Sequence, residues 1–330
     1  MQKVTVILPV HNGANYLQSS IDSVLAQSHE NFELHILDDG STDASPDIAQ
    51  SVKDHRVRYS RNAEKFGVFK TLNRGFAEAQ TELVRTWAQD DLMLENSLEA
   101  FVRFAEQHPT AGMIYCDFYG IDAAGKRNGR EQLQQETRKR TPEMANSRMS
   151  ALLFFIFGCL PGNISTVMLR RQAWEKVGGF LEGRLHSSDY DLWVRVSEFF
   201  KIGFIREKLI ELRDHPLQTS ASNAKNLICI EEDLPVILRL QERLQGVLTE
   251  QEMMFHLCQH RGRGHAHLIA RSLLRGEFNM AHKGWHALKQ YKQPWQQMFT
   301  WLISANGRLF TTNQWQFFDK VVGAKKAMVN

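Results

Sequence analysis

"FELHILDDGSTDASPD", residues 32–47, joins an apolar run of strand length to a cluster of acids and then to a helix start. Phe32–Leu37 has the length and composition of a buried strand, and Asp38-Asp39-Gly40-Ser41 is turn chemistry. Ser45-Pro46-Asp47 sets a cap residue before a proline at the first helical position. This is a strand running through an acidic turn into a helix. The same unit recurs on both sides. "VTVIL" (4–8) precedes a helix with apolar Tyr16, Leu17, Ile21, Val24 and Leu25, and "VRYS" (57–60) precedes a helix over about Phe69–Gln80. "LVRTWA" (83–88), a helix over about Glu95–Gln107 and "GMIYCDF" (112–118) follow. The alternation predicts an α/β fold with a mostly parallel, doubly wound sheet and ligand loops at the carboxyl ends of its strands.

From 120 to 150 the periodicity gives way to a polar, charged stretch that reads as a surface excursion. "NISTVMLR" (163–170) is a strand candidate, "RQAWEKVGGF" a short helix ended by Gly178-Gly179, and "SSDYDLWVRVSEFF" an amphipathic helix. From about 225 onward the signal is helical, with a break at Arg275-Gly276 before a helix apolar at Phe278, Ala281, Trp285 and Leu288. "ALLFFIFGCL" (151–160) is too short to span a bilayer and reads as core or as an interfacial surface. "MQKVTVILPV" reads as a first strand, its apolar run being too short for a signal-peptide core. Cys116, Cys159, Cys229 and Cys258 form no CxxC pair, which argues against a zinc knuckle or a secreted disulfide framework.

Three acidic clusters carry the chemistry. Asp38 and Asp39 end strand two, where a carboxylate can accept from a nucleobase or ribose, or simply form a solvated turn. Asp90 and Asp91, in "WAQDDL" (87–92), end strand four; such a pair suits a hard divalent cation bridging a diphosphate, and equally a helix N-terminus. Asp189 and Asp191, in "SSDYDLWVRV", precede a helix. Asp189 could cap it and Asp191 could pair with Arg195 at i+4, or one of them could serve as a general base.

The ordered set "VTVILPVHNGANYLQSSIDSVLAQSHENFELHILDDGSTDAS", "RNAEKFGVFKTLNRGFAEA", "AQDDL", "GNISTVMLRRQAWEKVGGF" and "SSDYDLWVRV" resembles family 2 glycosyltransferases, over about residues 2–215. The resemblance implies inverting sugar transfer on a GT-A type nucleotide-diphospho-sugar-binding fold. It places Pro9, His11 and Asn12 in the nucleotide pocket, Asp39 on the base, Asn62 and Gly67 near the nucleoside and Asp90 near the ribose. It makes Asp91 the direct ligand of Mg²⁺ or Mn²⁺, His215 a further metal ligand and Asp189 the catalytic base. His215 also reads as a surface residue in a turn before Pro216. The chain departs from the family pattern at Ala88, the first acid of the metal motif, and at Ser188, the usual Glu before the base. The implied partners are a nucleotide-diphospho-sugar donor, with a UDP-sugar favoured, and a glycan or lipid-linked acceptor in cell-surface polysaccharide synthesis. The alternative is a non-catalytic nucleotide-sugar-binding protein of the same fold.

The expected organisation is a catalytic domain over 1–220 and a basic, tryptophan-containing helical region over 221–330. Residues 256–330 carry 11 Lys/Arg against 2 Asp/Glu, while the remainder carries 29 against 35, so the net charge of +3 hides an acidic body and a basic tail. With Trp285, Trp295, Trp301 and Trp315, the tail suits an anionic membrane surface, or a subdomain that packs its tryptophans and leaves its cations in water. The expected location is cytoplasmic, peripheral on the inner face of the membrane if the first holds. No nucleic-acid motif is present. A sugar nucleotidyltransferase would need a Gly-rich basic loop after strand one, and "PVHNGANY" has one glycine and no Lys or Arg.

Overall fold

A computed structural model describes residues 2–216, 218, 228–259, 261–290 and 314–325. The chain divides into two compact units: Met1–Ser147 with Pro161–Arg184 and Asp191–Pro216, and Arg148–Leu160 with Leu185–Tyr190 and Leu217–Asn330. Two short segments from earlier in the chain group with the C-terminal half.

The first unit is built on β1 (Val4–Val10), β2 (Phe32–Asp38), β3 (Val57–Arg61), β4 (Leu83–Thr86), β5 (Leu92–Met93), β6 (Ala111–Ile121), β7 (Met144–Ala145), β8 (Val167–Arg170) and β9 (Lys201–Arg213). Their order is β3-β2-β1-β4-β8-β6-β9-β5, with β7 also on β9. Every residue of β1 is buried, as befits a central strand covered on both faces. The β3-β2-β1-β4 half is parallel, and its register aligns Val10 with Asp38 and Asp38 with Arg61, so the loops after β1, β2 and β3 leave the same edge.

The other half is mixed. β8 runs antiparallel to both β4 and β6, because the chain enters it from a 3-10 turn at Ile164–Thr166 that Asn163 caps by accepting from Ser165 N. "NISTVMLR" is therefore half turn and half strand. β9 was not recognised in the sequence and lies parallel to β6, with β5 antiparallel along it. This pairing carries Arg213 and His215 to the chain just after β4. The stretch read as an excursion holds a 3-10 turn at Arg130–Gln134, a helix at Gln135–Arg140 and β7. Arg138 anchors it, buried among Tyr115, Phe118 and Phe204 with Asp117 3.7 Å away.

The helices of this unit follow the expected pattern. They are α1 (Ala14–Leu25), α2 (Ser45–Ser51), α3 (Val68–Glu78), α4 (Ser97–Gln107), α5 (Gln135–Arg140) and, later in the chain, α7 (Arg171–Val177), while α8 (Ser188–Phe199) starts in the second unit's segment. Pro46 sits in the first turn of α2, and Gly178, at φ +78°, ends α7. α3 lies so close to β1 that a Cβ on Gly75 would meet Ile7 Cγ2 at 2.5 Å.

In the second unit, α6 (Ser147–Phe157) buries Ser150–Ile156 without interruption, so "ALLFFIF" is core. Around it are α9 (Ile228–Arg243), α10 (Glu250–Gln259), α11 (Arg261–Leu274), α12 (Phe278–Gln290) and α13 (Gln314–Ala324). Trp315 is 5% exposed against Phe157, which makes it a packing residue rather than a membrane anchor. Trp285 is partly exposed, and Trp295 and Trp301 lie outside the described residues. The helix break occurs as expected, with Gly276 at φ +75°, and Ala281 and Leu288 are buried. Phe278, expected on that buried stripe, is instead 68% exposed. Among the described residues no helix is long and apolar enough to cross a membrane.

Candidate active site

The strand ends of the first unit lock together through side-chain to backbone bonds. Pro9 is buried in β1 beyond the last residue of β4 that pairs with it, so its missing N–H costs no ladder bond there. His11 N donates to Gln89 Oε1 at 2.9 Å and Gln89 Nε2 donates to His11 O at 3.2 Å, tying the β1 loop to the β4 loop. His11 Nδ1 lies 2.9 Å from Asp39 O. Asn12 adopts φ 50°, a left-handed conformation that asparagine tolerates, and its Oδ1 accepts from Thr42 N.

Asp38, the last residue of β2, and Asp39, just beyond it, coexist because each finds its own donors. Asp38 accepts from Ser41 N and the Tyr59 hydroxyl, with Arg61 Nε at 3.4 Å. Asp39 accepts from Asn62 Nδ2 (2.8 Å), Phe66 N (2.7 Å) and Gly67 N (2.8 Å). Burial works to raise its pKa. The Phe66, Asn62 and Gly67 donors outweigh that and hold the carboxyl below its usual range. Gly67, at φ +91°, lets the loop turn its N–H inward. Asp39, Asn62 and Gly67 are thus one hydrogen-bonded set. Asn62 continues it, its Oδ1 accepting from Arg74 on α3.

Asp90 and Asp91 part company. Asp91 is 1% exposed, Oδ1 accepting from Arg213 N (2.9 Å) and Oδ2 from the Ser165 hydroxyl (2.6 Å). Burial first, and the neighbouring Asp90 second, push its pKa up. Asp90 turns to the rim, where its Oδ2 lies 2.9 Å from His215 Nε2. The His215 ring packs on Tyr16 at 4.8 Å and its Nδ1 is buried without a hydrogen-bond partner among the described residues. The Arg213 guanidinium lies over the other side of this cluster, 4.7 Å from the Tyr16 ring, and donates to Asp90 O. Asp91 was expected to be the direct ligand; in the structure each of its oxygens accepts one protein hydrogen bond, and it is Asp90 that lies beside His215. One carboxylate oxygen and one imidazole nitrogen 2.9 Å apart fit a hard divalent cation that takes few protein ligands and completes its shell with phosphate oxygens and water. Among the described residues no set of three or more His, Cys, Asp and Glu side chains surrounds a metal position.

Gln89, Ser165 and Arg213 were not singled out in the sequence. Gln89 stands within the acidic motif and could have been found there. Arg213 could have been found only with β9.

In the second unit, Asp189 opens α8 and its Oδ1 accepts from Tyr190 N at 2.7 Å. Burial is the main cause that lifts its pKa to about 6, Asp233 adds to the rise, and the Tyr190 N–H and His186 oppose it. A carboxyl so poised is half ionised near pH 6 and mostly ionised at neutrality, where it can accept a proton. Asp191, in the first unit, instead bonds Arg195 Nε at 2.6 Å, which settles its sequence reading as the i,i+4 pair.

The glycosyl transferase family 2 model matches residues 5–172, which spans β1 through α7's start and includes the two strand-end acid clusters. An uncharacterized glycosyltransferase of Rickettsia typhi is 30% identical over 218 residues, 66% of this chain and 65% of that one. Among solved structures, TarS 1–349 of Staphylococcus aureus, in complex with UDP-GlcNAc, superposes with a TM-score of 0.64 at 16% identity, over 91% of this chain and 89% of that one. The mannosyltransferase PcManGT of Pyrobaculum calidifontis, in complex with GDP-Man and Mn²⁺, does so at 0.55 and 18%, over 92% and 85%. The strand order, the acids at the strand ends and the match over half the chain agree: the chain belongs to glycosyltransferase family 2.

Proposed function

We propose that the protein is an inverting glycosyltransferase that moves a sugar from a nucleoside-diphosphate donor, a UDP-sugar for preference, to a hydroxyl of a glycan or lipid-linked acceptor in cell-surface polysaccharide synthesis. The observation that carries this reading is the Asp90–His215 pair beside the carboxyl edge of the parallel strands. These two side chains would hold Mg²⁺ or Mn²⁺, with Asp91 bracing them from behind through Arg213 N. A divalent cation there supplies charge neutralisation for the departing diphosphate. Asp39 and Asn62 fix the 62–67 loop that bounds the base, while Pro9, His11, Asn12 and Gly67 shape the rest of the nucleotide pocket.

In the reaction, Asp189 takes the proton of the acceptor hydroxyl as its oxygen attacks the anomeric carbon. The carbon's bond to the diphosphate oxygen breaks on the opposite face, so the configuration inverts. A positioned base contributes ~10²–10⁴-fold, so Asp189→Asn lowers kcat by about that range while donor binding persists. The acid limb of wild-type kcat falls near pH 6, because only the ionised carboxylate accepts the proton. Wild-type turnover in the variant, or a flat profile through that pH, contradicts the role. Ala88 and Ser188 favour a second reading, donor binding without turnover; binding with neither transfer nor donor hydrolysis is its signature.

The protein's location at the cytoplasmic face follows as part of the proposal. Leu273, Leu274 and Phe278 are 47%, 89% and 68% exposed at the turn between α11 and α12, beside exposed Arg271 and Arg275. An apolar tip flanked by cations suits an anionic bilayer surface. Flotation with phosphatidylglycerol vesicles at low salt is expected to carry the protein upward and Leu274→Glu to abolish this; a wild type that stays at the bottom refutes attachment.

A further inference from the structure

Asp189 is held by the helix that the sequence assigns to the tail. The three residues before α8 present consecutive N–H groups, and all three end on one carboxylate: Leu185 N on Glu232 Oε1 (2.9 Å), His186 N and Ser187 N on Glu232 Oε2 (2.8 Å each). Successive backbone N–H groups turned to one side form a concavity for an anion, and charge-assisted bonds are the strong ones. The next residue of α9 adds a fourth tie, with the Ser187 hydroxyl donating to Asp233 Oδ1 at 2.5 Å. Ser187 and Ser188 are buried at 2% and 0% exposure, so this is a packed junction rather than a surface contact. Tyr190, one residue beyond Asp189, donates its hydroxyl to Phe154 O on α6 at 2.8 Å and pins the other side.

We propose that Glu232 is the positioning residue of the Asp189 carboxylate, holding through three backbone N–H groups the loop from which that side chain projects. The inference rests on Asp189 being the base, and it makes α9 a working part of the catalytic apparatus. The physical logic has two parts. Glu232 fixes the backbone from which α8 starts, so it fixes where the Asp189 side chain can point; a misplacement of about 1 Å costs on the order of 10² in rate. Asp233 places a second negative charge near Asp189, which disfavours ionisation and strengthens the base. Among the described residues, the charges bearing on Asp189 include His186, from its own loop, and Asp233 on α9, which act in opposite directions. Glu232 and Asp233 therefore have separable effects.

The test uses the full chain and needs no substrate. The protein is labelled with ¹³C at aspartate carboxyls, and the Asp189 resonance is identified by its loss in Asp189→Asn. Its titration midpoint is expected near pH 6 in the wild type. In Asp233→Asn the midpoint falls, since a repelling charge is gone. In Glu232→Gln it moves away from the wild-type value, since the released loop no longer fixes where the carboxylate points. A role confined to stabilising the fold would lower Tm and leave both midpoints where they were, and that result overturns the proposal. Should Glu232→Gln fail to fold, Glu232→Asp, which keeps the charge and shortens its reach, takes its place with the same expected shift. Turnover by Asp189→Asn at the wild-type rate would refute the base assignment without moving these midpoints, so the two failures can be told apart.

Discussion

Adjacent acids in this chain do different work, and their neighbours decide which. Asp91 is enclosed, with Ser165 and Arg213 N as its donors, whereas Asp90 reaches the rim beside His215. Asp91→Ala strips acceptors from two buried donors and is expected to cost about 1–3 kcal/mol of stability, measured by urea unfolding. Asp90→Ala should leave the unfolding curve nearly unchanged. Equal losses in the two variants would contradict the division of roles. The sequence singles out Asp90, Asp91 and His215 by residue type, but it cannot say which acid meets the histidine. That choice depends on the two-residue strand β5 pairing with β9, a contact across more than a hundred residues. Asp38 and Asp39 are easier to read, because their partners lie in the turn that follows and in the next strand and its loop.

At the scale of elements, β1 to β4 and the helices between them are legible because each is a local βα unit with its own periodicity and punctuation. β9 is not, since the charged residues Arg206, Glu207 and Lys208 interrupt its apolar alternation and mask a 13-residue strand. One residue of β4 runs against its surroundings. Arg85 is fully buried, none of its guanidinium nitrogens has a hydrogen-bond partner among the described residues, and its neighbours are Phe101, at 4.0 Å, and the Cys116 thiol. Burial lowers its pKa to about 10, which still leaves it charged at neutrality, so the strand carries a desolvated cation with the aromatic face as partial compensation. Arg85→Met is expected to raise the urea midpoint, since an apolar side chain of similar volume removes a desolvated cation. A lower urea midpoint in Arg85→Met would mean that the cation has a partner the strand depends on.

For the whole molecule, the charge asymmetry of the sequence separates an acidic body from a basic tail. The segment Leu185–Tyr190, which carries Asp189, groups with the C-terminal half, and Glu232 is what holds it. Tryptophans in the tail were a weak guide, since Trp315 serves the core while Leu274 and Phe278 face water. The central claim is that Asp90 and His215 hold a divalent cation for a nucleoside diphosphate. The most direct test is thermal unfolding with UDP, dTDP, GDP and CMP, each with and without Mn²⁺, on the wild type and Asp90→Ala. A ligand at 100 times its Kd stabilises by ~2.7 kcal/mol, a readily measured shift. One diphosphate is expected to raise Tm only with Mn²⁺, and Asp90→Ala to remove this dependence. A wild type indifferent to every nucleotide, or a variant that keeps the full Mn²⁺-dependent shift, would contradict it.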